Sequence, residues 1–167
     1  MNIHNSLVHR QAERNGYKMN IRIVYHSGYK GNTMKVAIAI AETLNIRAER
    51  IGKEKIEFIE PVDLLFVGSG IYMHKPHKKV KKLIEDINPT IVKNAAAFGT
   101  YGNQSEIGEQ IKGLLQGVGI NVLGEPFVCK GDSVGTDNKG HPNATDLGNA
   151  KAFAENIAEK FRFLCLS

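Results

Sequence analysis

Nine consecutive residues, Tyr25-His26-Ser27-Gly28-Tyr29-Lys30-Gly31-Asn32-Thr33, carry the clearest chemical signal in the sequence. They join a short apolar run, Ile21-Arg22-Ile23-Val24, to a segment that reads as a helix from Met34 to Leu44. A strand that passes through a Gly/Ser/Thr loop into a helix start is a place to hold an anion. The first N–H groups of the helix lack intrahelical acceptors, and the helix dipole favours negative charge there. Gly28 and Gly31 let the backbone turn tightly and come close to a ligand. The run is not a triphosphate loop, because Gly31 is followed by Asn32-Thr33 and not by Lys-Ser/Thr. It also lacks the third glycine of a dinucleotide fingerprint.

Other reactive residue types form weaker patterns. His74 and His77 are three apart, but Pro76 lies between them and no third metal ligand is evident. His74 and His141 are candidates for a proton role, set against ordinary loop histidines. No Ser/His/Asp or Cys/His arrangement can be defended from spacing. Two cysteines, Cys129 and Cys165, make no disulfide framework, so a reducing cytoplasm is expected. Cys129 reads as a small buried hydrophobe.

The net charge of +5 is local. Lys75, Lys78, Lys79, Lys81 and Lys82 fall within eight residues, and without them the chain is neutral. This argues against a nucleic-acid-binding surface and leaves a solvated helix face or a docking patch. No apolar run approaches the roughly 20 residues needed to span a bilayer.

The elements that must position these residues alternate. The 167 residues suit one domain. Residues 1–18 read as a flexible N-terminal extension, with Met19 a candidate natural start. Residues 19–163 form the domain, and 164–167 a tail. Strands are expected at 21–25, 47–51, 64–68 and 95–98, and a fifth over 121–129, broken near Gly124. Helices are expected at 34–44, 76–87, 107–118 and across Leu147 to Phe161, each from apolar residues at helical spacing. Strand and helix alternating five times predict an α/β doubly wound parallel sheet with right-handed crossovers. Ligands then bind beyond the carboxyl ends of the strands. Glycine-rich loops starting at Ser27, Ser69 and Thr100 leave three such ends.

Gly31-Asn32-Thr33 resembles the end of the flavodoxin phosphate loop. Gly68-Ser69-Gly70-Ile71-Tyr72 and Phe98-Gly99-Thr100-Tyr101-Gly102 are similar to that family's loops after the third and fourth strands. Gly140-His141-Pro142-Asn143 with Asp146 is similar to a lead-in to its last helix. The resemblance covers about residues 20–163 and suits the short-chain type. It implies a five-stranded sheet in the order 2-1-3-4-5 and non-covalent FMN.

Carried over, Ser27, Asn32 and Thr33 bond phosphate oxygens, Gly31 supplies a close N–H, and Gly28, Tyr29 and Lys30 complete the loop. Ser69, Gly70, Ile71, Tyr72, Thr100, Tyr101 and Gly102 surround the ring. Tyr72 and Tyr101 are the candidates to stack on it, and Thr100 and Gly102 offer donors to its pyrimidine edge. Gly70 replaces a common proline, which would permit a peptide flip. Two further departures stand out. Gly28 replaces a common hydroxyl residue, and Lys30 a threonine; Lys30 either adds a charge to the phosphate site or points to solvent.

The expected function is that of an FMN-binding electron carrier, with redox partners, acidic ones included, docking near Lys75–Lys82. An FMN-dependent oxidoreductase acting on a quinone or a protoporphyrinogen-type substrate is the alternative. A flavin-free binding module using the basic patch is a third.

Overall fold

The structure, a computed structural model, describes residues 18–167. The expected extension therefore lies, apart from Lys18, outside the described residues. The chain runs β1 (Ile21–Tyr25), α1 (Asn32–Leu44), β2 (Ala48–Arg50), β3 (Leu64–Tyr72), β4 (Lys75–Pro76), α2 (Lys78–Glu85), β5 (Asn94–Tyr101), α3 (Ile107–Gly117), β6 (Asn121–Val122), β7 (Phe127–Lys130) and α4 (Ala144–Leu166).

The sheet order is β2-β1-β3-β5, with β6 and β7 both paired to β5. This is the expected 2-1-3-4-5 parallel order, with the fifth position in two pieces. The break falls at Gly124, whose φ of +65° is left-handed backbone open to glycine. The strand count is seven because of that break and because β4 adds an antiparallel hairpin to β3.

The interior strands are apolar on both faces, as strands covered by helices on both sides must be. Leu64, Phe66, Ala96 and Phe98 pack toward α1 and α4, beside Val36, Ile40, Ala154 and Ile157. Their neighbours Leu65, Val67, Ala95 and Ala97 pack toward α2 and α3, beside Val80, Ile84, Ile111 and Leu115. Gly68 is required where it stands, since a Cβ there would meet the Phe98 ring at 2.1 Å.

Several boundaries differ from expectation, among them the loop expected from Thr100, where Thr100 and Tyr101 are the last residues of β5 and pair with Cys129 and Lys130. The segment from Ser69 to Tyr72 is strand, not loop: Ser69 and Gly70 pair with Gly99 and Thr100, and Ile71 pairs with Pro76. Pro76 belongs to β4 and not to a helix. α2 begins at Lys78, where the His77 ring accepts a hydrogen bond from the Lys79 N–H at 3.1 Å. The expected tail at 164–167 is mostly the last turn of α4, which ends at Leu166.

Candidate functional site

The loop after β1 enters α1 through Gly31, at φ +71° and ψ +22°. No side chain at that cap position bonds the helix, and no acidic residue occupies the first turn. Ser27 Oγ accepts a hydrogen bond from the Met34 N–H at 3.2 Å. Among the described residues, the N–H groups of Asn32 and Thr33 have no acceptor. Two orphan donors at an uncapped, acid-free helix start make an anion seat.

The seat opens into a cleft of about 270 Å³ at the carboxyl ends of β1, β3 and β5. Every residue expected at the site lines it except Ser69. Ser69 is fully buried; its hydroxyl accepts from the His77 N–H at 3.0 Å and donates to Gly70 O at 2.7 Å. Gly70 sits in β3 in register with Thr100. A Cβ there would stand 3.5 Å from Thr33 Oγ1 and 3.8 Å from Thr100 Oγ1, in the space the cleft occupies. The Thr33 and Thr100 hydroxyls share a buried hydrogen bond of 2.8 Å, tying the helix start to the end of β5. Tyr101 is half-buried against the core under α2 and α3, and Tyr29 is 88% exposed.

The wall past β7 was not anticipated. Gly131, Asp132, Ser133 and Val134, just past β7, also line the cleft. Lys30 Nζ donates to Asp132 Oδ1 at 2.9 Å, and Asn32 Nδ2 donates to Asp132 O at 2.8 Å. Lys30 thus lines the cleft while paired with a carboxylate, a partner not expected from the sequence. The Lys30 pKa is raised, first by its hydrogen bond to Asp132. The Asn32 side chain faces this segment, and its Oδ1 is buried without a partner. The available sequence signal was Gly131-Asp132-Ser133 following the last strand end, the position where such sheets bind ligands.

A second cluster borders the cleft at Tyr72. The His26 and His77 rings stack with centroids 3.5 Å apart and planes 4° from parallel. Tyr72 meets both edge-on, at 5.3 and 4.8 Å. Burial, then His77, Arg50 and Lys79, press the His26 pKa down to about 4. Burial and the neighbouring Lys79 and Lys78 lower that of His77. Burial raises the Tyr72 phenol. The turn after Tyr72 places Met73 and His74 at φ +49° and +68°. Such a turn matches the twist of a two-residue hairpin. Gln104 bonds His74 Nδ1, and Gln110 bonds its carbonyl at 2.9 Å, pinning the turn to α3. His141 stands apart, joined to Asp146 at 2.7 Å in the cap of α4.

The lysines gather elsewhere. A groove of about 720 Å³ runs between α2 and the segment 51–59. Ile51, Ile56, Phe58, Ile59 and Leu83 give it an apolar lining, and Lys53, Lys55, Lys78, Lys79 and Lys82 also line it. Lys79 donates to Gly52 O at 2.9 Å, and Lys82 pairs with Asp86 at 3.0 Å. Among the described residues, no group of three or more His, Cys, Asp or Glu could hold a metal, and no helix is long and apolar enough to cross a membrane.

The donor set fits a ligand that brings both an anion and a hydrogen-bond donor. The helix start offers free N–H groups, Lys30 offers a cation, and Asn32 Oδ1 needs a donor.

Comparison with known proteins agrees with this geometry. A sequence model of the flavodoxin domain matches residues 23–116. An uncharacterized protein of Methanocaldococcus jannaschii is 38% identical over 149 residues, spanning 83% of this chain and 98% of that protein. The type A flavoprotein fprA of Rhodobacter capsulatus is 29% identical over 162 residues; these are 90% of this chain but only 35% of that protein. A flavodoxin from the domain Archaea superposes with a TM-score of 0.67 at 22% identity, covering 85% of this chain and 99% of its own. The flavodiiron protein from Giardia intestinalis gives 0.69 at 16% identity, covering 98% of this chain and 41% of its own. The chain belongs to the flavodoxin domain family.

Proposed function

We propose that this flavodoxin-family protein binds FMN non-covalently in the 270 Å³ cleft and carries electrons between redox partners in a reducing cytoplasm. The observation that carries this reading is the α1 start, with free N–H groups opening into a cleft built from three strand ends. Bound there, FMN would supply reversible electron transfer, and the protein the binding and the electrostatics.

The Asn32 and Thr33 N–H groups and Lys30 would hold the phosphate. Thr100 and Gly102 would face the polar edge of the ring. Tyr72 is the aromatic face at the cleft, braced by His26 and His77, and a packed aromatic there excludes water. The lysine-bordered groove begins next to this corner: Arg50 donates to Ser27 O at 2.7 Å, and Ile51 N–H donates to Tyr25 O at 2.7 Å. An acidic redox partner seated over it would lie beside the cofactor.

Purified protein should be yellow and release FMN on denaturation. Colourless protein with no affinity for added FMN would overturn the reading. The His26–His77–Tyr72 cluster favours a second one, an FMN-dependent oxidoreductase acting on a quinone, since such groups can hold and pass protons. Rapid reoxidation of the reduced protein by a quinone would select it; exchange only with redox proteins would select the carrier.

A further inference from the structure

Asp132 reaches into the cleft from the segment after β7 and holds Lys30 from the loop after β1, residues 102 apart in sequence. Lys30 and Asp132 side chains are 30% and 38% exposed, so the pair sits at the mouth and not in the core. A second bond, from Asn32 Nδ2 to Asp132 O, fixes the same segment to the first residue of α1. The fit there is close: a Cβ on Gly131 would meet Asn32 Nδ2 at 2.7 Å. The carboxylate therefore lines the same cleft as the anion seat, its segment held there by backbone and side-chain contacts at once.

A carboxylate at that place repels an incoming phosphate, which carries close to two negative charges at neutral pH. The ammonium of Lys30 cancels that repulsion, and its flexible stem lets it turn from one anion to another. We propose that Asp132 is a built-in surrogate for the phosphate. It keeps Lys30 extended across the mouth, and Lys30 passes to the phosphate when a phosphorylated flavin binds. The exchange makes the cleft selective for FMN over riboflavin through one charged side chain. It requires no movement of the segment itself, because the Asn32 bond to the Asp132 carbonyl does not involve the carboxylate. The inference rests on the FMN reading and adds to it the residue pair that sets cofactor choice.

The test measures FMN and riboflavin affinities for the full chain by flavin fluorescence quenching, at low and high salt. Lys30→Met should weaken FMN by about ten- to a hundredfold, the worth of a hydrogen bond to a charged group. It should leave riboflavin within about twofold and flatten the salt dependence of FMN binding. Lys30→Arg should restore FMN preference. Asp132→Asn keeps the carbonyl bond and the side-chain size while removing the repulsion. It should tighten FMN about three- to tenfold and leave riboflavin unchanged.

Two results from the variants would overturn the surrogate. One is Asp132→Asn weakening FMN as Lys30→Met does, which would make the pair a simple clamp. The other is both flavins weakening equally in Lys30→Met. Wild-type protein that binds FMN and riboflavin equally well also overturns the surrogate but leaves the flavin reading standing. Wild-type protein that binds neither flavin removes both. Thermal melting of each flavin-free variant, expected to leave the midpoint close to wild type for so exposed a pair, separates misfolding from lost affinity.

Discussion

The 270 Å³ cleft lies at the strand ends and the 720 Å³ groove runs along α2, and they are held by different forces. The smaller is tied across its walls by short polar contacts: Thr33 to Thr100, Lys30 and Asn32 to Asp132, and Arg50 to Ser27. These bind the loops after β1 and β7, the start of α1 and the ends of β2 and β5 into one shape. The larger has an apolar lining under lysine stems, and Ile59 beside it is 83% exposed. Few bonds cross it, Lys79 to Gly52 being one. A site that must recognise one small molecule needs fixed donors. A surface that meets a protein gains from stems that can reposition.

Four perturbations test this contrast. The largest effect belongs to the cleft. Gly31→Val forces a β-branched residue into φ +71°, where left-handed backbone is costly, and should abolish flavin binding as read by gel filtration of the yellow species. The groove should answer only through the partner. Lys78→Glu with Lys79→Glu should slow electron exchange with a small acidic iron–sulfur protein about tenfold at low salt and leave FMN affinity within about twofold. Equal damage to both would erase the distinction.

The His26–His77–Tyr72 cluster bordering the cleft should be acid-sensitive. The folded-state pKa of His26, about 4, lies below the ordinary value of 6.5, so the unfolded chain takes up that proton first. Its contribution is complete above about pH 6.5 and is lost as the pH falls from 6.5 to 4. Thermal melting across that window should fall less steeply in His26→Phe, which keeps a ring against His77. The smallest effect is Ile59→Ser, which should change unfolding free energy by less than about 0.5 kcal/mol in urea melts while weakening partner docking.

Much of the cleft was legible in the chain because its residues are local. Ser27 to Thr33 is one continuous run, and strand ends carrying Gly70, Tyr72, Thr100 and Gly102 announce themselves by glycine after apolar stretches. The parallel sheet followed from alternation and from strands apolar on both faces, and its order from the flavodoxin resemblance. What escaped was pairing over distance. Nothing near Asp132 in sequence says that Lys30, 102 residues earlier, reaches it. Nothing near His26 says that His77 will stack on it. Pro76 misled because proline also opens helices; here a hairpin to β3 captured it first.

Both margins of the sheet are brief. β2 has three residues on one side, and β6 and β7 have two and four on the other, against nine in β3. Free strand edges are templates for stacking one chain on another, and short ones recruit poorly. The interruption at Gly124 thus protects as well as bends. It denies a growing aggregate the long unpaired ladder it would need, so crowding should press these molecules together by their side chains and not by their backbones.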